Sequence, residues 1–391
     1  MIYFDNSATT PPCDEAIEAI DLALRETWGN PSSAHSAGIA AHRILEAARR
    51  SVASSIGMKR MTDGKIFFTS GGTEANNLAI SGCVSSKERP EKGGSRGTII
   101  ISDGEHASVS AAASKYEKEG FRVYRIPTVG GRLDLDDLRR NVSRDVIMAS
   151  IMKVNNETGA VYDVKAASVI IKDAAPSAVI HSDCVQAYMK MRITPYDLGA
   201  DMISVSAHKI FSAKGAGALW VSNEIMKTRK LSPLTFGGGQ EEGFRSGTEA
   251  LPAIAGFGAA AAAGSSELSE RIKKCEELGD YAAAKLSLLD GVKLNLPETR
   301  LPNILNITVG GIKSETLLNY LSGEGICVSK SSACSTRSKN LSPALIAFGL
   351  SEEDVDSSVR ISFSHLNTPG EIDRFCDVLS TGIRSLTKIR K

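Results

Sequence analysis

Short apolar runs alternate with helix-patterned stretches through the centre of this chain. The runs are Lys65-Ile-Phe-Phe-Thr69, Thr98-Ile-Ile-Ile-Ser102, Val146-Ile-Met-Ala-Ser-Ile-Met152, Ala178-Val-Ile-His181, Met202-Ile-Ser-Val205 and Gly217-Ala-Leu-Trp-Val221. Helix-like segments such as Ala166 to Ala175 lie between several of them. This alternation predicts an α/β domain with a mainly parallel central sheet flanked by helices. From about residue 255 the pattern changes. Gly256 to Leu289, with the run Ala259 to Ala263, reads as a long helical region. Strand-like Asn303-Ile-Leu-Asn-Ile-Thr308 and Val359-Arg-Ile-Ser-Phe363 follow, then a terminal helix from about Gly370 to Ile389. The expected division is a large domain over 13–256 and a smaller α+β domain over 257–391, completed by residues 1–12.

Ligands of parallel sheets bind beyond the carboxyl ends of the strands, and those ends are chemically loaded here. Thr69 leads to Ser70-Gly71-Gly72-Thr73-Glu74, Ser102 to Glu105-His106, Met152 to Asn155-Asn156-Glu157, His181 to Asp183 and Gln186, and Val205 to Ser206, His208 and Lys209. One polar strand end means nothing, since loops are polar. Five, carrying acids, imidazoles, amides and a lysine, look like a site.

Lys209 is the sharpest feature. An ammonium at the mouth of a buried strand is costly to desolvate unless something uses it. Burial lowers a lysine's pKa and yields the nucleophilic amine that a Schiff base requires. That points to pyridoxal 5'-phosphate (PLP). A carboxylate must face the PLP pyridine nitrogen, and Asp183 is placed for it, although a helix N-cap would read the same. Gln186, three residues on, could reach the phenolic oxygen. Ser70-Gly-Gly-Thr-Glu-Ala75, between strand and helix, could cradle a phosphate, or be an ordinary capped turn. His106 could stack on a flat ring and shuttle protons, where a lone histidine is otherwise a packed or surface residue. Arg360 sits within a strand pattern and needs a partner: a substrate α-carboxylate, or an internal ion pair.

Composition narrows the class. The 391 residues are 42% apolar and 23% charged, with a net charge of +1, as in a soluble globular protein with no electrostatic case for nucleic acid. The N-terminus lacks the basic and apolar regions of a signal peptide, and no run is long enough to span a bilayer, so the chain is expected to stay in the cytoplasm. Seven scattered cysteines, never in a CxxC pair, fit neither a disulfide framework nor a zinc site. Cys334 differs from the rest. It lies in Ser329-Lys-Ser-Ser-Ala-Cys-Ser-Thr-Arg-Ser-Lys-Asn340, small and polar, which predicts an exposed, mobile loop over about 328–342. Lys330, Arg337 and Lys339 would favour its thiolate. Cys13 and Cys275 read as chance surface cysteines.

These residues together resemble the PLP-dependent cysteine desulfurases, class-V aminotransferase-like enzymes of the branch that supplies sulfur to iron–sulfur clusters, nitrogenase maturation or tRNA thiolation. The resemblance runs from Tyr3-Phe-Asp-Asn-Ser-Ala-Thr-Thr-Pro11 to about Phe363. It is carried by Trp28-Gly-Asn-Pro-Ser-Ser-Ala-His35, Phe68-Thr-Ser-Gly-Gly-Thr-Glu-Ala-Asn-Asn-Leu-Ala79, Val154-Asn-Asn-Glu-Thr-Gly159, Ser206-Ala-His-Lys-Ile210, Arg245-Ser-Gly-Thr-Glu249 and Ser331-Ser-Ala-Cys334. It implies the PLP-dependent transferase fold (fold type I). It implies that Lys209 is the Schiff-base lysine, Asp183 the pyridinium partner, Gln186 the residue at the phenolic oxygen and His106 the stacking acid–base histidine. Gly72, Thr73, Ser206 and His208 match phosphate-side positions. Thr248 matches a residue that reaches the phosphate of the partner subunit, which implies a homodimer. Asn156 matches an asparagine near cofactor and substrate, Arg360 the carboxylate clamp, and Cys334 the nucleophile that accepts sulfur from L-cysteine as a persulfide before passing it to an acceptor protein.

The chain departs from the family's pattern in four places. Lys330 follows Ser329 where glycine is common, Ser335 to Ser342 lacks the usual Glu-Pro, Cys184 stands where alanine is typical, and Leu386 to Lys391 ends without the longer tail by which some relatives hold the iron–sulfur scaffold protein. These leave the sulfur acceptor open. A selenocysteine lyase or another PLP lyase or transaminase would keep the same residues. A non-catalytic sulfur-carrier or scaffold-binding subunit would have no use for Lys209, Asp183 and Arg360. A nicotinamide-binding domain would need a GxGxxG after a strand, which is absent.

Overall fold

The computed structural model describes residues 1–58, 60–86, 96–330 and 341–388. Its strands are β1 (Ile2–Tyr3), β2 (Gly64–Thr69), β3 (Thr98–Ser102), β4 (Arg122–Ile126), β5 (Val146–Ser150), β6 (Val179–Asp183), β7 (Met202–Ser206), β8 (Gly217–Ser222), β9 (Val292–Leu294), β10 (Ile304–Val309), β11 (Ile326–Cys327), β12 (Ser329–Lys330) and β13 (Ser358–Ser362). Seven of them form the central sheet in the order β2-β8-β7-β6-β5-β3-β4. β3 to β7 run parallel, and β8 is antiparallel to both of its neighbours. β2 therefore points the same way as β7, and six strands, β2 to β7, end on one edge.

The sheet is covered on both faces, which is why its strands read as continuous apolar runs rather than alternating ones. Successive side chains still divide between the faces. Phe67, Ile99, Ile101, Met148, Val179 and Met202 join one core cluster with the helices Gly72–Ser85 and Ala107–Lys118. Phe68, Ile100, Ala149, Ile180, Ile203 and Val205 join the other, with helices Asp14–Arg25, Ser36–Ser55, Val164–Ala174 and Leu251–Ser266. The alanine run lies in this last helix. Small residues there allow close helix contact: a Cβ on Gly258 would meet the Ala48 Cα at 2.5 Å, and one on Gly256 the Ile20 side chain at 2.7 Å.

A second, antiparallel sheet has the order β12-β13-β10-β9. Leu305, Ile307, Val359 and Ile361 from it pack with helices Leu268–Ser287, Ser314–Gly323 and Pro369–Lys388 and with Phe4. The N-terminal segment is tied to this sheet: β1 pairs in parallel with β11, and Asp5 bridges Ser362.

Two expectations need correction. The helical region expected from Gly256 to Leu289 begins at Leu251 and is two helices, broken at Glu267 with ψ near 4°. β4 is an additional strand. Its residues Arg-Val-Tyr-Arg-Ile are only half covered, because it is the edge of the sheet. No helix among the described residues is long and apolar enough to cross a membrane.

Candidate active site

β2, β3, β5, β6 and β7 all end on one edge, delivering Thr69, Ser102, Ser150, Asp183 and Ser206 there. Past β7, a single helical turn, Ala207–Lys209, turns the lysine back over that edge. Lys209 Nζ donates to the carbonyls of Ser7 (2.5 Å) and Ala8 (2.7 Å). The same N-terminal segment is bound to the turn at several points. Thr10 donates N–H and Oγ1–H to the His208 carbonyl, His208 Nδ1 lies 3.3 Å from Thr9 Oγ1, and the Phe211 N–H donates to Thr10 Oγ1 at 2.7 Å. Phe211 has φ +69°, a strained value for a bulky residue. The site lysine is therefore presented by a turn that distant backbone holds in shape. Burial, then the charge of Lys209, pushes the His208 imidazole down to about 4, so it is neutral at physiological pH.

Asp183, at the end of β6, is buried and fixed from two sides. Asn76 Nδ2 donates to Oδ2 at 2.6 Å and the Val185 N–H to Oδ1 at 2.9 Å. Two donors fix the orientation of the carboxylate. The second Asn76 amide hydrogen goes to Ser108 Oγ at 2.9 Å, and Ser108 Oγ lies 2.8 Å from His106 Nδ1. His106 caps the helix Ala107–Lys118, with Nδ1 accepting the Ser108 N–H at 3.1 Å. An accepting Nδ1 puts the ring proton on Nε2, the nitrogen left for the site. A chain of four side chains thus joins His106 to Asp183. Asn76 and Ser108 escaped the sequence reading, although Asn76 lies inside the quoted stretch, one helical turn after Gly72.

The glycine-bearing loop packs where a side chain would not fit. A Cβ on Gly72 would meet Val185 Cγ2 at 2.7 Å, and one on Gly217 would meet the Gly71 backbone at 2.6 Å. Gly72 opens the helix Gly72–Ser85, so its first N–H groups face the strand ends. Beside it, Ser206 Oγ is buried with no partner among the described residues. Thr73 is exposed. Glu74 turns away to accept the Ser70 N–H (2.8 Å) and the Arg245 guanidinium (2.8 Å). Burial opposes its charge, but Arg245 and Ser70 outweigh that and hold the carboxyl below its usual value. Thr248, three residues after Arg245, is exposed.

Arg360, on β13, is 4% exposed. It donates to the Asn156 carbonyl and to Asp5 Oδ1, each at 2.8 Å, while its Nε is buried without a partner among the described residues. An ion pair and an unsatisfied N–H coexist there, so a further acceptor such as a carboxylate can still be bound. Next to Asn156, Glu157 accepts from Ser342 Oγ at 2.6 Å, and burial pushes its carboxyl up to about 7. Gln186 Nε2 donates to the Ser7 carbonyl at 2.9 Å.

Cys334 and the loop 331–340 lie outside the described residues. Cys184 is fully buried, and burial raises its thiol to about 12, which makes it inert. Cys13 and Cys275 are half-buried rather than surface residues, and burial raises both thiols. Among the described residues no three His, Cys, Asp or Glu side chains are grouped as a metal site.

The residues present fit PLP. An amine, a carboxylate oriented by two donors, and a buried hydroxyl unsatisfied among the described residues beside a glycine-started helix N-terminus answer its aldehyde, ring nitrogen and phosphate.

The comparisons agree. Residues 2–375 match the family of class-V aminotransferases. A cysteine desulfurase (IscS 1) of Archaeoglobus fulgidus is 35% identical over 99% of this chain and 98% of its own. A NifS/IcsS protein homolog of Lactobacillus delbrueckii subsp. bulgaricus is 38% identical over 100% and 99%. A solved structure of a NifS-like protein superposes with a TM-score of 0.88 at 34% identity, covering 97% of this chain and 98% of that one. With that sequence match and that shared fold around a lysine and a carboxylate on adjacent strand ends, the chain belongs to the class-V aminotransferase family, as one of its PLP-dependent cysteine desulfurases.

Proposed function

We propose that this protein converts L-cysteine to L-alanine and retains the sulfur as a persulfide on Cys334, for delivery to an acceptor protein of iron–sulfur cluster assembly or tRNA thiolation. The observation that carries the reading is the placement of the Lys209 amine past the end of β7 and of Asp183, a carboxylate held by Asn76 and Val185, at the end of the neighbouring β6. PLP, when bound, supplies the electron sink for the reaction. In this reading Lys209 would hold the aldehyde, Asp183 the ring nitrogen, Gln186 the phenolic oxygen, and Gly72, Thr73, Ser206 and His208 the phosphate.

The remaining roles belong to the chain's own groups. Arg360, whose Nε has no partner among the described residues, binds the substrate α-carboxylate, and Asn156 orients the substrate beside it. Lys209 Nζ takes the Cα proton, and His106 holds its proton at Nε2 for transfer. The Cys334 thiolate attacks the substrate sulfur: the S–S bond forms as the C–S bond breaks. L-cysteine plus an enzyme thiol gives L-alanine plus an enzyme persulfide, with every atom accounted for. Thr248 lies exposed, three residues after the Arg245 that pairs with Glu74, which suits a residue that serves the phosphate of a second copy in a homodimer. In this reading residues 13–256 carry the coenzyme, while 1–12 and 257–391 carry the substrate clamp and the cysteine loop.

Borohydride treatment of the purified protein tests the placement. It should tether the coenzyme covalently to the peptide carrying Lys209, and Lys209→Ala should form no alanine from L-cysteine. A tether elsewhere, or alanine formation by Lys209→Ala, would overturn the reading.

A further inference from the structure

Lys190 takes no part in the roles above, yet it is built into the site. It follows Met189, whose φ of +58° is strained for a side chain of that size. The Lys190 N–H donates to the Ala187 carbonyl at 3.1 Å, which closes the turn. Its Nζ then reaches back four residues and donates to Gln186 Oε1 at 2.8 Å. On its other side it lines a small cavity with Cys275, Arg271 and His365. Burial, reinforced by Lys209 and Arg360, pushes its ammonium down to about 7. An amine kept in so costly a place invites a functional explanation.

An amide group has two ends of nearly equal shape, and only its partners decide which end points where. Gln186 has one partner of each kind. The Ser7 carbonyl can only accept, so it takes Nε2–H. The Lys190 Nζ donates to Oε1, and as an ammonium it can only donate. A reversed amide would set Oε1 against a carbonyl and an NH2 against an amine. The Ser7 carbonyl also receives Lys209 Nζ, so the three side chains share one small network.

We infer that Lys190 is a positioning residue that fixes the amide of Gln186, so that the second Nε2–H is presented to the coenzyme's phenolic oxygen. The inference rests on the proposed placement of PLP over Lys209 and Asp183. It does not require Lys190 to touch coenzyme or substrate.

The test uses the holoenzyme and reads the visible absorption band of bound PLP together with its dissociation constant. Lys190→Met should move the band in the direction that Gln186→Ala moves it, and weaken retention by roughly tenfold, the scale of one charge-assisted hydrogen bond. Lys190→Arg, which keeps a donor, should restore both. The double variant should go no further than Gln186→Ala alone, since Lys190 acts through that amide. Lys190→Ala carries the same expectation where methionine at 190 does not fold. A wild-type band in Lys190→Met, or shifts that add in the double variant, would overturn the inference while leaving the placement of PLP intact. An unmoved band in Gln186→Ala would instead remove the placement, and the inference with it.

Discussion

Asn76 and Asp183 are 107 residues apart in sequence and meet at 2.6 Å. Asn76 stands one turn into the helix that Gly72 opens. In the proposed placement, the element that would offer its N-terminus to the phosphate therefore also holds the carboxylate that would face the ring nitrogen. Both ends of the proposed coenzyme site would then be set by one helix, which is the kind of support that precise placement needs.

Asn76→Ala removes one of the two donors on Asp183 and breaks the link to Ser108 and His106. Coenzyme should be held roughly tenfold more weakly, as expected for one hydrogen bond to a charged group. Equilibrium dialysis against PLP measures this. Unchanged retention would show that Val185 alone suffices.

Arg360→Lys replaces a planar fork by a point charge. Lysine can still pair with Asp5 but cannot also offer the Nε–H. KM for L-cysteine should rise at least about tenfold, with PLP retention within about twofold of wild type. Steady-state kinetics on the holoenzyme decide it. A fall in coenzyme content with KM unchanged would make Arg360 a structural ion-pair residue only.

Glu105 gives a pH signature. It is 8% exposed, accepts from Ser102 Oγ and the Met152 N–H through one oxygen, and leaves the other unpartnered among the described residues. Burial, reinforced by Asp183, raises its carboxyl to about 8, from 4.5 in the free residue. Between those values the folded chain holds a proton that the unfolded chain has released, so this group's contribution to stability falls as pH rises and levels off above 8. Glu157 acts in the same direction up to about 7, whereas His181, lowered to about 3, and Lys190, lowered to about 7, act oppositely. Subtracting Glu105→Gln from wild type isolates Glu105. The melting temperature of the variant relative to wild type should climb from pH 5.5 to pH 8, and a constant difference would contradict this.

Glu241 is nearly buried at φ +49°, accepts the Phe68 N–H, and takes both terminal nitrogens of Arg49 at 2.7 and 2.8 Å. Removing one partner of a buried pair strands the other charge. Glu241→Gln should cost about 3 kcal/mol in denaturant unfolding. A loss under about 0.5 kcal/mol would mean that Glu46, also in contact with Arg49, carries the charge alone.

Much of this was legible in the sequence. A strand buried on both faces announces itself as an apolar run, and a parallel sheet places its functional residues at the strand ends, so Lys209, Asp183 and the Gly72 loop could be located from the pattern. β4 was missed because an edge strand is half polar, and the break at Glu267 because the alanine run leading into Gly264-Ser265-Ser266 reads as one continuous helix. The support of the site was invisible for a different reason. Asn76, Ser108 and Lys190 act through side-chain contacts between elements, and Arg360 finds Asp5 across 355 residues of sequence. No local period encodes such meetings.

Peptide mass spectrometry after a single exposure to L-cysteine tests the central claim most directly. Added sulfur should appear on the peptide carrying Cys334, with one L-alanine formed for each sulfur retained, and the buried Cys184 should stay unmodified. Cys334→Ser that still made alanine and sulfide at the wild-type rate, or wild type that carried its sulfur on Cys327 alone, would contradict the account.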